Sequence, residues 1–225
     1  MDKDDQKREA GEAAADLVTD GMVVGLGTGS TVRYTIEALG RRVKGGLRIQ
    51  GIPTSKASED LAGRLGIPLT TLDEHPIVDL TIDGADEVDP QLRLIKGGGG
   101  ALTREKIVAR ASKKMVVVAD AGKLVEHLGS TFALPIEVLA FGKVPVQAFV
   151  ASHGGKVMLR QKDGKPVLTD NGNVILDSKW ESIVDAERLE ILLETYPGVV
   201  CCGLFLGLCS AAYIAGEDGV RVMTR

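Results

Sequence analysis

The sequence predicts an α/β fold, an open and mainly parallel sheet with crossover helices, joined to a smaller α+β domain. Three observations carry that prediction. Short runs of Val, Ile and Leu alternate with helical patterns up to about residue 125, as they do where parallel strands are buried on both faces and linked by helices. Past Gly129 the pieces shorten, and Gly154-Gly155, Asp163-Gly164 and Asn171-Gly172 punctuate them, which suits tight antiparallel hairpins. The tail then holds two further strand-like pieces, Ala211–Ala215 and Val220–Met223, able to return to the first sheet.

Taken in order, Met22–Gly27 reads as the first strand, with room for one helix before it. Val32, Ile36 and Leu39 form the apolar stripe of the helix that follows. Leu47–Pro53 reads as the second strand, and Ala57, Leu61 and Leu65, each four apart, mark the next helix. Strands are expected near Ile67–Leu72 and at Ile77–Ile82, then at Leu92–Ile95 and Met115–Ala119, the last two separated by a helix starting near Ala101. The second region reads as Pro135–Leu139, a helical Val146–Ala151, Val157–Arg160, Val167–Thr169 and Val174–Asp177. Ile183, Ala186, Leu189, Leu193 and Tyr196 give one amphipathic helix before Pro197-Gly198. The expected division is a Rossmann-like main domain of residues 1–128 with 204–225, and a small domain of residues 129–203.

With 225 residues the chain can bury a real core in one or two domains. Its 44% hydrophobic and 26% charged residues set it apart from disordered chains. A net charge of −4 offers no general attraction to nucleic acid or anionic lipid, and no basic stripe supplies one locally. No apolar run approaches the ~20 residues of a membrane span, and Met1-Asp2-Lys3-Asp4-Asp5 lacks the apolar core of a signal peptide. A cytoplasmic protein is expected. Cys201, Cys202 and Cys209 form an odd set in one apolar stretch, while His75, His127 and His153 are scattered. Buried thiols are therefore expected, and no metal. The histidines and Trp180 read as surface or packing residues.

In an open α/β sheet, ligands bind beyond the carboxyl ends of the strands. Four loops at such positions stand out. Gly25-Leu26-Gly27-Thr28-Gly29-Ser30-Thr31 follows the first strand and opens directly into a helix. Its glycines let backbone approach an anion, the helix-start N–H groups point at it, and the hydroxyls of Thr28, Ser30 and Thr31 add donors. A capped strand-to-helix turn accounts for this loop equally well when it is taken alone. A dinucleotide is disfavoured, because Ser30 stands at the third glycine position of G-x-G-x-x-G and Thr54-Ser55-Lys56, with no acidic residue, end the second strand.

The second loop is Asp83-Gly84-Ala85-Asp86-Glu87, three carboxylates after a strand, any one of which could be a turn former. The third, Lys96-Gly97-Gly98-Gly99-Gly100, leads to Glu105 in the first turn or so of a helix. Four glycines cost much backbone entropy, which a mere connector could avoid. Glu105 taken alone reads as a first-turn carboxylate facing the helix dipole. The fourth loop, Ala119-Asp120-Ala121-Gly122-Lys123, adds a lysine whose bland reading is a solvated surface charge. All these features converge on strand ends. Together they meet the needs of aldose–ketose isomerisation: a base in Glu105, an oxyanion site in Lys96 and the glycine N–H groups, and hydroxyl-handling carboxylates in Asp83 and Asp86.

At these motifs, and in Ala101–Lys106, Leu168-Thr169-Asp170-Asn171-Gly172-Asn173 and Pro197-Gly198-Val199-Val200, the sequence resembles the type A family of ribose-5-phosphate isomerases over nearly its whole length. The resemblance implies interconversion of ribose 5-phosphate and ribulose 5-phosphate in the non-oxidative pentose phosphate pathway without a cofactor. It implies Glu105 as proton acceptor, with Asp83, Asp86 and Lys96 beside it. It places substrate against Thr28, Gly29, Ser30, Thr31, Asp83, Gly84, Ala85, Asp86, Lys96, Gly97, Gly98, Gly99 and Lys123, with Lys7 helping to hold the phosphate. A homodimer or homotetramer is implied as well. Gly122 stands where the family commonly has serine, and Cys201-Cys202 is unusual for the strand after Pro197-Gly198.

Two rival readings fit the sequence less well. A non-catalytic sugar-phosphate sensor attached to a DNA reader would need a basic DNA-binding module, for which one helix before Met22 leaves no room. A nicotinamide-dependent dehydrogenase fails on the glycine spacing.

Overall fold

The structure, a computed structural model, describes residues 2–181 and 183–225. From the amino end the elements run α1 (Lys3–Ala15), β1 (Val23–Leu26), α2 (Val32–Lys44), β2 (Gln50–Pro53), α3 (Lys56–Leu65), β3 (Leu80–Gly84), β4 (Glu87–Val88), β5 (Leu94–Ile95), α4 (Leu102–Arg110) and β6 (Met115–Asp120). They continue as β7 (Leu134–Val138), α5 (Lys143–Ser152), β8 (Lys156–Leu159), β9 (Gln161–Lys162), β10 (Lys165–Pro166), β11 (Val174–Lys179), α6 (Ala186–Glu194), β12 (Val199–Cys202), β13 (Leu204–Phe205), β14 (Cys209–Gly216) and β15 (Gly219–Thr224). Contacts divide the chain into two units. The first holds the chain up to Ala85, Arg104–Lys123 and Gly207–Arg225; the second holds Asp86–Thr103 and Leu124–Leu206.

In the first unit a six-stranded sheet has the order β15-β14-β6-β3-β1-β2. Every pairing is parallel except that of β14 with β15. The strands β1 and β6 are buried at every position, which is why they read as unbroken Val-rich runs. On one face Ala10, Ala14 and Val18 join Ile36 and Leu39 of α2 over Val24, Leu26, Ile82 and Val116. On another patch Val108 of α4 packs with Val23, Ile52 and Val78. Asp2 caps α1 by accepting from the N–H groups of Asp4 and Asp5. Ser55 caps α3 through Ser58 N–H at 3.1 Å, and Gly66 ends it at φ +77°.

The expected strand near Ile67–Leu72 does not form. Gly51 N–H donates to Pro68 and Thr70 N–H to Gly51, giving a single bridge, Gly51↔Leu69, on the edge strand β2. Pro68 has no N–H to extend the ladder, and the chain then turns at Thr71. The expected parallel strand at Leu92–Ile95 is also corrected, since β5 lies in a small antiparallel sheet of order β13-β5-β4. A tight turn precedes it: Leu92 sits at φ +58°, and the Asp89 carboxylate accepts from Gln91 N–H, Arg93 N–H and Arg93 Nε.

The second unit has a four-stranded antiparallel sheet, β12-β7-β11-β8, whose core joins Leu134, Ile136, Val138 and Leu176 with Val146 and Val150 of α5 and Leu189 and Leu193 of α6. The β9–β10 hairpin turns through Asp163 at φ +53° and Gly164 at φ +74°, the mirror-image turn that Asp-Gly favours. Residues 86–103, 124–128 and 204–206 group with this unit, so the observed division differs there from the expected one. The reason is local: β5 pairs with β13, and Val88 bridges Leu124. All three cysteines are buried, and none is joined to another in a disulfide. Among the described residues no helix is long and apolar enough to cross a membrane.

One ion pair makes stability pH-dependent. The Lys113 ammonium, 2.7 Å away, and the Val23 N–H at 2.9 Å hold the Asp79 carboxyl below the usual carboxylate range. The stabilisation is therefore complete above the unfolded value of about 3.9 and is lost as pH falls through the lower native value. Urea melts of wild type and Asp79→Asn should differ by a constant amount near neutrality, and that difference should shrink below about pH 4. A difference independent of pH would rule out this charge effect.

Candidate active site

In the first unit the chain connects β1 to β2 on one side of β1 and then places β3 on its other side. That reversal opens a crevice beyond the ends of β1 and β3. Asp83 lies at the end of β3 and is fully buried. Its Oδ1 accepts from Thr28 N–H at 3.0 Å and from Gly84 N–H at 2.7 Å. Gly27 makes this possible, because a Cβ there would lie 2.3 Å from Asp83 Oδ1. Thr28 Oγ1 lies 2.8 Å from Thr54 Oγ1 and 2.7 Å from Ser55 Oγ, while Ser58 Oγ donates to the Gly27 carbonyl at 2.6 Å. The residues ending β2 thus brace the loop.

Gly29, at φ +133°, turns the chain into α2, which starts after Thr31 with no side-chain cap bond. Ser30 is exposed and Thr31 is buried. A cleft of about 340 Å³ adjoins the loop, lined by Gly27, Thr28, Gly29, Arg33, Ser58 and Arg64 among others. Lys7, half-buried, lies four residues before Gly11 and so on the same side of α1. Gly11 packs so closely on α2 that a Cβ would sit 3.0 Å from the Thr31 carbonyl. Lys123 closes a short 3₁₀ turn after β6, the neighbour of β3, and is half-buried. Gly84 and Ala85 are half-buried where β3 ends.

Glu105, in the first turn of α4, is only 3% exposed. A carboxylate that served the helix dipole alone would stay in water, because burying its charge is costly. Glu105 precedes Val108 by one turn, and Val108 packs so closely on β1 that a Cβ on Gly25 would lie 2.8 Å from Val108 Cγ1. Glu105 therefore faces the sheet.

The second unit carries the remaining predicted groups. Lys96 is 2% exposed, its N–H donates to the Gly203 carbonyl at 2.9 Å, and its ammonium lies 5.4 Å from the centre of the Phe205 ring, within cation–π range. Gly97 (φ +111°) and Gly100 (φ +79°) shape a turn closed by Gly100 N–H donating to the Gly97 carbonyl at 3.0 Å. Gly98 N–H donates to Asp86 Oδ2 at 2.7 Å, and a Cβ on Gly98 would come within 2.6 Å of that carboxylate. Gly99 is exposed beside it. Within the units the structure thus brings together Thr28 with Asp83, and Asp86 with the glycine turn.

Glu87, third of the carboxylates, is a structural group. It is fully buried, and its oxygens accept from the N–H groups of Gly129, Thr131 and Phe132 and from Thr131 Oγ1, all at 2.6–2.7 Å. Phe205 and Gly203 lie in a two-residue strand and its approach, too short to carry a sequence signal. Arg160, whose guanidinium donates to the Gly97 and Gly98 carbonyls, was unmarked for the same reason, being a lone arginine at a strand end. Among the described residues Glu190, Glu194 and Cys202 gather ligand-type atoms within 4.8 Å of one another. Glu194 there is exposed, and exposed acidic groups commonly gather without an ion.

The family model for Ribose 5-phosphate isomerase A (phosphoriboisomerase A) matches residues 50–219. The chain is similar to Ribose-5-phosphate isomerase A of Rhodopseudomonas palustris (strain HaA2), 50% identical over 232 residues and covering all of both chains. Among solved structures it is similar to ribose 5-phosphate isomerase A of Methanocaldococcus jannaschii, with 43% identity, 98% and 99% coverage and a TM-score of 0.94. It is also similar to a D-ribose-5-phosphate isomerase in complex with phospho-erythronic acid, with 39% identity, full coverage of both chains and a TM-score of 0.97. The chain belongs to the ribose 5-phosphate isomerase A family.

Proposed function

We propose that this chain interconverts D-ribose 5-phosphate and D-ribulose 5-phosphate through an enediolate, as an aldose–ketose isomerase of the non-oxidative pentose phosphate pathway that uses no metal or cofactor. The observation that carries the reading is Glu105, a carboxylate buried at the start of a helix where solvent would serve it better. Glu105 takes the proton from C2 of the open-chain aldose. The electron pair forms the C1–C2 double bond, and the aldehyde oxygen becomes an oxyanion. Lys96 and the Gly99 N–H of the glycine turn stabilise charge that appears only as this step proceeds. Asp83 and Asp86, each steadied by backbone N–H bonds, relay the hydroxyl proton between O2 and O1. Glu105 then returns its proton to C1, and the ketose results.

The phosphate is held by the Thr28–Thr31 loop and α2 start, with Lys7 and Lys123 adding charge. Phospho-erythronic acid, the ligand of the 39%-identical relative, is an aldonic acid phosphate whose planar carboxylate resembles the enediolate, which supports the same chemistry here. A cytoplasmic setting and a homodimeric or homotetrameric assembly belong to this reading. The exposed Leu139, Phe141 and Val144 support the assembly.

Purified protein in chelator should convert ribose 5-phosphate to ketose and leave free ribose nearly untouched, because the phosphate supplies the remote binding energy that orients C1 and C2. Equal specificity constants for the two sugars would overturn the phosphate assignment. Activity lost on prolonged chelation and restored by a divalent ion would transfer the electrophile's role from Lys96 to a metal.

A further inference from the structure

We infer that Arg160 is a positioning residue that sets the glycine turn, so that the Gly98 N–H holds the Asp86 carboxylate and the Gly99 N–H faces the developing oxyanion, an inference resting on the enediolate reading above. Arg160 follows β8, and its side chain is 15% exposed. One guanidinium nitrogen, Nη1, donates to the Gly97 carbonyl at 2.8 Å and to the Gly98 carbonyl at 3.1 Å. Nε and Nη2 donate to the Asp177 carboxylate at 2.9 and 2.5 Å. The fork is thus locked from behind by β11 and grips two consecutive peptide groups in front.

In a trans peptide the N–H points opposite the carbonyl of the same plane. Holding the Gly97 carbonyl therefore directs the Gly98 N–H, and holding the Gly98 carbonyl directs the Gly99 N–H. Both carbonyls converge on one nitrogen, so both N–H groups point away from it. The first of them meets Asp86 Oδ2 at 2.7 Å and so serves the hydroxyl-handling carboxylate, which leaves the second for the oxyanion. Four consecutive glycines have more conformational freedom to lose than any other tetrapeptide, so an external clamp is what makes such a turn a preorganised donor array. Lysine would bring one compact ammonium in place of a planar fork and could not serve two carbonyls and a carboxylate together.

An Arg160–Asp177 pair that only tied β8 to β11 would affect stability and leave chemistry alone. The positioning role predicts that Arg160→Ala, checked as folded by circular dichroism, loses kcat for ribose 5-phosphate on the order of 10²-fold. KM should stay within about threefold, because the phosphate loop is untouched. Affinity for phospho-erythronic acid should weaken in step with kcat, and added guanidinium ion should restore part of both. Folded Arg160→Ala with kcat near wild type overturns the inference, as does a loss confined to melting temperature. If Arg160→Ala does not fold, Asp177→Asn decides, since it keeps the guanidinium and loosens its lock: reduced kcat supports the role and unchanged kcat ends it. Glu105→Gln, assayed in parallel, separates the two levels. Wild-type turnover there sinks the enediolate reading itself, whereas an inactive Glu105→Gln beside a fully active Arg160→Ala removes only the role of Arg160.

Discussion

Glu105→Gln is expected to lower kcat roughly 10²- to 10⁴-fold, the range that a positioned base contributes to proton transfer. The amide matches the carboxylate in size and remains polar, so the first turn of α4 and its packing through Val108 should survive. It cannot accept a proton from carbon. Since the phosphate loop lies on other residues, KM should change far less than kcat, the pattern of an interaction used in the transition state. Stopped assays on folded variant give the answer, and kcat within a few-fold of wild type would remove Glu105 from the role of base.

Glu87→Ala is expected to cost about 3 kcal/mol, because it removes a fully buried carboxylate and with it the acceptor of a buried donor and of three further hydrogen bonds. Four donors now converge on this carboxylate, three on Oε1 and one on Oε2. Alanine would leave the buried Gly129 N–H and the part-buried Thr131 and Phe132 N–H groups without this acceptor. Glu87→Gln should cost less, because its oxygen can keep the three bonds of Oε1 while its NH₂ confronts only the Gly129 N–H. Denaturant melts check the ranking, with a fall in Tm of about 10 °C for the alanine variant. A loss under ~1 kcal/mol would mean that the 129–132 loop finds other acceptors.

The parallel sheet was legible because burial on both faces leaves β1 and β6 as unbroken apolar runs, and because Val32, Ile36 and Leu39 keep helical spacing. Loops at strand ends were legible from glycine and carboxylate placement. What escaped had a different physical origin. Ile67–Leu72 has a strand's composition, yet pairing depends on a partner's free edge and on Pro68, which local pattern does not encode. The small β4–β5–β13 sheet has strands of two residues, below any periodicity. Buried carboxylates were the hardest to sort: Asp83, Glu87 and Glu105 differ in what surrounds them and not in type. Glu137 makes the same point. It is fully buried and accepts from Thr103, Thr169, Asn171 and Asn173, which gives Thr169, Asn171 and Asn173 their place in that stretch, yet no motif pointed to a glutamate more than thirty positions away.

The return of β14 to β6 has a consequence for how the protein is made. β6 is flanked by β3 and β14, and β14 in turn carries β15. A ribosome releases β14 only after the whole of the second unit has been synthesised, so during that interval the Val116–Val118 edge of β6 away from β3 has no neighbour. An uncovered, uncharged, β-branched edge is a template for strands of other chains, and pairings so distant along the sequence close slowly. The hazard for this enzyme therefore lies in its biosynthesis more than in its native state: until the last two strands arrive, β6 offers an edge on which a strand of another chain can add.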